Sequence, residues 1–149
     1  MNRIRVQPDD FDPGLEIAQL GAQAGAVVSF VGLVRAENSG DRLISMTLEH
    51  FPGMTERELE RIANEARARW ELLGVTIVHR YGELKPSERI VLVVTAASHR
   101  RAAFEAAEYL MDYLKTSAPF WKQELRQSGA YWIEARSSDD DAAARWSKG

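Results

Sequence analysis

The chain of 149 residues contains no cysteine. That excludes disulfides, thiolate nucleophiles and thiolate-held metals together, and any sulfur chemistry here would need sulfur brought by another molecule. The absence fits a reducing compartment, so a cytoplasmic location is expected. No apolar run approaches the roughly 18 residues that cross a bilayer, and residues 1–12 lack the apolar stretch of a secretory signal. A basic excess is missing as well: 19 Lys and Arg stand against 22 Asp and Glu, for a net charge of −3. This argues against a general nucleic-acid binder. No GxxxxGK[ST] or GxGxxG is found, and no GxSxG, so nucleotide hydrolysis and serine-hydrolase chemistry lose their usual sequence support. His50 and His79 each end an expected strand with no second ligand at metal spacing. They are read as structural or exposed, and neither metal nor cofactor is expected.

What is present is ordinary for one globular domain spanning residues 1–149, with 45% hydrophobic and 28% charged residues. Strands are expected at 4–6, 26–34 and 44–49, the second a near-continuous apolar run with Phe30 in the core, the third alternating with period 2. A weak helix is expected at 15–22 and a polar loop at 36–42. Thr55 and Glu58 form a capping-box pattern ahead of a helix at 55–72, with Leu59, Ile62, Ala63, Ala66 and Trp70 at helical spacing. Strands at 75–80 and 89–97 are joined through a turn at Lys85, Pro86 and Ser87. A second helix at 100–116 places Phe104, Ala107, Met111 and Leu114 on one face, and Pro119 stops it. Strands at 120–125 and 131–135 follow, and Ser138 before Asp139–Asp141 starts a short last helix. Because the strands are not each followed by a crossover helix, the expected class is α+β with a largely antiparallel sheet and two main helices.

Chemistry concentrates in residues 98–122. Strand 89–97 runs straight into Ser98, His99, Arg100 and Arg101 at a helix start, where free N–H groups and the positive dipole end favour an anion. Two guanidiniums and an imidazole make phosphate the natural ligand. The alternative is a Ser98 cap with solvated arginines. Lys115 and Lys122 flank the segment TSAPFW. A turn at Pro119 would bring both amines to one side of a pocket, where an amine desolvated beside Phe120, Trp121 and a second cation becomes a base or nucleophile. The alternative is two surface lysines. Arg35 and Arg136 end the first buried strand and the last strand, positions that line clefts as often as they are solvated.

Five stretches in order resemble the large, catalytic subunit family of molybdopterin synthase: GAVVSFVGLVR (25–35), LEHFPGMTERELERI (48–62), HRYGEL (79–84), SHRRAAFEAAEYLMDYLKTSAPFWK (98–122) and YWIEAR (131–136). The first 24 residues carry little of the likeness, and 36–42 match loosely. The resemblance implies an α/β-hammerhead-type fold and a sulfurtransferase of molybdenum cofactor biosynthesis. In that family two sulfurs pass to cyclic pyranopterin monophosphate, giving the dithiolene of molybdopterin. The donor is a small ubiquitin-like partner whose Gly-Gly tail ends in a thiocarboxylate, and the assembly is a heterotetramer built on a central homodimer. By the same resemblance Lys115 and Lys122 are the catalytic lysines, while Arg35, His99, Arg100 and Arg136 bind substrate, His99 and Arg100 holding the phosphate from the neighbouring subunit. Lys115 is expected as acid/base or as a transient bond to the partner's carboxyl terminus, with Lys122 assisting electrostatically. Two competing readings remain from the residues alone. A non-catalytic phosphometabolite-sensing module explains the arginines but not the lysines; a purely structural oligomerisation domain explains neither.

Overall fold

The computed structural model describes residues 2–20, 23–36, 40–133 and 137–148, with backbone alone at 137–140 and 147–148. Its elements are β1 (Asn2–Gln7), α1 (Pro13–Ala18), β2 (Ala26–Leu33), β3 (Leu43–His50), α2 (Met54–Trp70), β4 (Gly74–Arg80), β5 (Gly82–Leu84), β6 (Arg89–Ala97), α3 (Arg100–Thr116), β7 (Phe120–Arg126), β8 (Gly129–Ile133), α4 (Ser137–Ala144) and a 3-10 turn, Arg145–Lys148. The expected α+β class holds, but the strands form two sheets rather than one. The first runs β1-β4-β6-β2, the second β5-β3-β7-β8. Every pairing is antiparallel except β1 with β4.

Strand β4 is buried along its whole length, and its alternation divides the core. Val75 and Ile77 join Val91, Val93 and Ala97 of β6 beneath α2 and α3. Val78, Leu92 and Val94 face the other way and pack with Phe11, Ile17 and Leu20 from the N-terminal segment. Period 2 therefore puts His79 on the helix-covered face with Val75 and Ile77.

Helix α2 buries Leu59, Ile62, Ala63 and Ala66, the expected stripe. Its start differs from the expected capping pair. Gly53, at φ 86°, is the N-cap, and its N–H donates to Glu56 Oε2 at 2.8 Å. Glu58 instead pairs with Arg61. Thr55 turns inward, its hydroxyl donating to the Phe51 carbonyl at 2.8 Å. In α3 the buried stripe is Ala103, Ala106, Ala107, Leu110 and Leu114. Phe104 is 61% exposed, against its expected place on the buried face. Small alanines let α3 approach the sheet closely, and Phe104 lies about 100° around the helix from Ala103.

Other boundaries move little. Helix α1 starts earlier than expected because Asp12 caps it, accepting from the Leu15 N–H at 3.3 Å. The three-residue β5 within the expected 80–89 connection was too short to be read from periodicity, and it pairs with β3. Helix α1 also ends at Ala18, short of the expected 22, and the strand residues Glu134 and Ala135 lie outside the described residues. Phe30 is not core: β2 is an edge strand, and the ring is 40% exposed. The chain end is latched onto α3. Trp146 Nε1 donates to Asp112 Oδ2 at 2.6 Å, and the Arg69 guanidinium sits 5.5 Å from the centre of the Trp146 ring.

Two contacts fix where α3 begins. Thr95 Oγ1, fully buried, donates to the Ala103 carbonyl at 2.7 Å. Gly25 passes so close to the β6–α3 junction that a Cβ there would lie 2.1 Å from the Ser98 carbonyl oxygen, a backbone atom. Gly25→Ala is expected to destabilise the protein by about 1–3 kcal/mol through enforced overpacking, measured by urea unfolding, with Gly14→Ala, whose Cβ meets its nearest neighbour only at 3.4 Å, as the milder control.

Candidate active site

Helix α3 ends at Thr116, and Pro119 turns the chain at once into β7. The Phe120 N–H donates to the Ala118 carbonyl at 2.8 Å, closing a tight reversal. Lys115, on the last helical turn, and Lys122, on β7, therefore arrive at one cleft from opposite chain directions. This cleft holds about 180 Å³ and is lined by both lysines together with Phe30, His79, Met111 and Phe120. A second hollow of about 210 Å³ shares Lys115 and Lys122 with it and adds Arg35 and Glu124. The turn at Pro119 thus brings both amines to one side, as its sequence position allowed.

Arg35 owes its place to its neighbour. Val34 is buried, its N–H donating to the Glu88 carbonyl at 2.9 Å and its carbonyl accepting from the Ser87 N–H at 2.8 Å. Those bonds pin the end of β2 to the turn before β6 and leave Arg35 exposed at the rim of the second hollow. Glu124, on the same wall, is ion-paired with Arg126 at 2.8 Å, both side chains largely buried. Trp121 is held by a bond from its Nε1 to Glu49 Oε2 at 2.9 Å.

The sequence suggests a structural or exposed His79; it is 8% exposed and forms part of the cleft lining. Its ring stacks on Phe120, with centroids 3.7 Å apart and planes 16° from parallel. Nδ1 lies 2.8 Å from the Arg80 carbonyl. A carbonyl only accepts, so Nδ1 carries the proton. Burial lowers the pKa to about 4, and the positive charges of Lys115 and Lys122 act in the same sense, while the Nδ1 bond opposes them. The ring is therefore neutral at pH 7, with a bare lone pair on Nε2. Phe30 and His79 were missed as lining residues because period-2 alternation identifies a face without showing that the helix covering it stops short.

His99 and Arg100 lie elsewhere. His99 is the N-cap of α3, without a side-chain capping bond, and no acidic residue occupies the first turn. His99, Arg100 and Arg101 are all exposed, and Arg101 is tied to Glu105 at 2.8 Å. His99 and Arg100 are left as the side chains available beside the free N–H groups of the helix end. From His99 to Lys115 the helix axis runs about 24 Å at 1.5 Å per residue. One chain does not bring this end to its own lysine cleft. Arg136 lies outside the described residues.

The family model described as MoaE protein matches residues 6–117. The molybdopterin synthase catalytic subunit of Pseudomonas aeruginosa is 55% identical over 146 residues, which is 96% of this chain and 97% of that protein. A solved structure of the molybdopterin biosynthesis MoaE protein from Burkholderia ambifaria superposes with a TM-score of 0.84 at 51% identity, covering 99% of each chain. The crystal structure of molybdopterin synthase from Staphylococcus aureus matches with a TM-score of 0.78 at 30% identity, over 89% of this chain and 96% of that one. The chain therefore belongs to the MoaE family, that of the molybdopterin synthase catalytic subunits.

Proposed function

We propose that the chain is the catalytic subunit of a molybdopterin synthase, moving sulfur from the thiocarboxylated tail of a small ubiquitin-like partner to cyclic pyranopterin monophosphate. The observation that carries the reading is the convergence of Lys115 and Lys122 from α3 and β7 on one narrow, mostly apolar cleft with Arg35 at the adjoining rim. Such a cleft suits an extended Gly-Gly tail, which has no side chains to accommodate. The two ammonium groups match the anionic thiocarboxylate, and apolar walls strengthen that attraction by excluding water. Lys115 serves as acid/base or as transient acceptor of the tail's carboxyl carbon, and Lys122 stabilises developing negative charge. The absence of cysteine is consistent with sulfur arriving on the partner.

The phosphate of the pterin is held by His99 and Arg100 at the N-terminus of α3, with Arg136 as a further substrate contact. The roughly 24 Å between that end and Lys115 supports a grip supplied to the cleft by the second copy of a central homodimer. Small partners at each end complete a heterotetramer. Among the described residues no helix is long and apolar enough to cross a membrane, and a cytoplasmic site of action fits the cysteine-free sequence.

Two experiments test this. Lys115→Ala should lower dithiolene formation at least about 100-fold, while urea unfolding and oligomeric state stay those of the wild type; undiminished turnover would remove Lys115 from the chemistry. For the phosphate grip, Lys115→Ala and Arg100→Ala proteins are unfolded together and refolded as mixed dimers. If the grip crosses the dimer, each mixed dimer regains one complete site, and random mixing restores about a quarter of wild-type turnover. Restoration no greater than the sum of the two parents would place Arg100 with its own chain's cleft.

A further inference from the structure

The cleft contains one titratable group that the lysine chemistry leaves unused. His79 reaches it from the most buried strand of the protein, clamped on one ring face by Phe120 and at Nδ1 by the Arg80 carbonyl. Those contacts fix both the orientation and the tautomer of the ring, leaving Nε2 on the edge away from Arg80. A neutral imidazole so held is an acceptor and not a donor at that nitrogen.

The groups around it leave few partners. Lys115 approaches from α3, Lys122 from β7 and His50 from β3, and the two ammonium groups disfavour a charge on the ring. Tyr81, next after β4, lies against His50, with ring centroids 4.6 Å apart. His50 is itself engaged: the Thr55 hydroxyl proton is given to the Phe51 carbonyl, so His50 Nδ1 must donate to Thr55 Oγ1, 3.0 Å away. Arg80 points out of the cleft, its Nε donating to the Pro8 carbonyl at 3.1 Å and its Nη1 to the Arg89 carbonyl at 3.0 Å. Glu124, the carboxylate on the neighbouring wall, is bound to Arg126. Lys115, on the helix that covers this face of β4, lines the same cleft as the ring.

We infer that His79 is a positioning residue of the active site, its Nε2 accepting a hydrogen bond from the Lys115 ammonium and aiming that amine along the cleft. The inference rests on the reading of Lys115 as the reacting amine. It adds the element that orients this side chain, whose four-carbon stem is otherwise free to rotate. The ring does not act as the base. Held neutral down to a pH of about 4, it is a weak proton acceptor at pH 7 and works by geometry. Its neutrality has a second effect: a third positive charge beside Lys115 and Lys122 would repel both ammonium groups, and burial of the ring prevents it.

The test uses the full-length protein in its assembled form and compares His79→Phe, His79→Gln and His79→Asn. Phenylalanine keeps the stack on Phe120 and removes the acceptor. Glutamine keeps an acceptor near the position of Nε2, whereas asparagine is too short to reach. Labelling of Lys115 by an amine-acylating reagent, followed by peptide mass spectrometry across pH, reports on the amine independently of turnover. Loss of a hydrogen bond to the ammonium should move the Lys115 labelling midpoint about one pH unit lower in His79→Phe and His79→Asn. His79→Gln should stay near the wild type, and kcat should fall about tenfold in the first two with KM for the pterin unchanged. A His79→Phe protein that folds and labels like the wild type overturns the assignment, as does a His79→Gln protein that behaves like His79→Asn. Should His79→Phe fail to fold, the Gln and Asn pair decides alone. A ¹⁵N imidazole spectrum of the wild type should show the neutral Nδ1–H form from pH 7.5 to 5; an imidazolium signal at pH 6.5 would also overturn it. Full turnover in Lys115→Ala would remove Lys115 from the chemistry without altering the labelling result, so the two failures are distinguishable.

Discussion

Helix α3 lies on the first sheet through Ala103, Ala106 and Leu110, none of which retains solvent exposure. Its entry is fixed by the Thr95 hydroxyl on the Ala103 carbonyl and by the close passage of Gly25 beneath Ser98. Its exit is fixed by Pro119, which cannot continue a helix. With both ends set, the axis becomes a rigid spacer with basic chemistry at each tip. At the N-terminal tip the positive dipole end and free N–H groups lie beside His99 and Arg100. At the C-terminal tip the dipole is negative and favours the Lys115 ammonium. Under the proposed function, one packed element would carry both sites, one for a phosphate and one for a thiocarboxylate tail.

The electrostatics of the cleft follow from what surrounds the lysines. Among the described residues, two nearby acids are engaged elsewhere: Glu124 with Arg126 and Glu49 with Trp121. The remaining polar group of the lining discussed above, His79, is neutral because burial penalises its charged form. The result is a pocket whose positive charge resides on two amines within mostly apolar walls. That is a suitable environment for an anionic tail and for an amine whose reactivity depends on desolvation. Strand β4 is central to this arrangement because it is buried on both faces and rigid, so a ring near its end inherits that rigidity.

The sequence disclosed the elements more readily than their relations. Helix α2 was legible because its apolar residues recur at helical spacing on a well-exposed opposite face. Helix α3 was legible in extent, but Phe104 was misplaced: an aromatic at helical spacing reads as core, whereas close contact with a sheet selects the alanines. The run at 26–34 reads as a buried strand because β-branched residues dominate it. Strand order puts it at an edge, which leaves Phe30 partly exposed and able to line the cleft. No local pattern separates these cases, because edge or centre is decided by which strands pair across long stretches of chain.

The sequence by itself determined the residue types and their order. It placed two lysines around a helix-breaking proline, a basic pair at a helix start and no thiol of its own, because these follow from side-chain chemistry and local backbone preference. The tertiary structure decided which of them meet. The reversal at Pro119 and the pairing of β7 with β3 put Lys115 and Lys122 in one cleft. The length of α3 holds His99 and Arg100 about 24 Å away, and the path of β4 turned a histidine that looked merely structural into part of the wall. Such proximity comes from contacts between residues far apart in the chain, and local spacing carries no record of it.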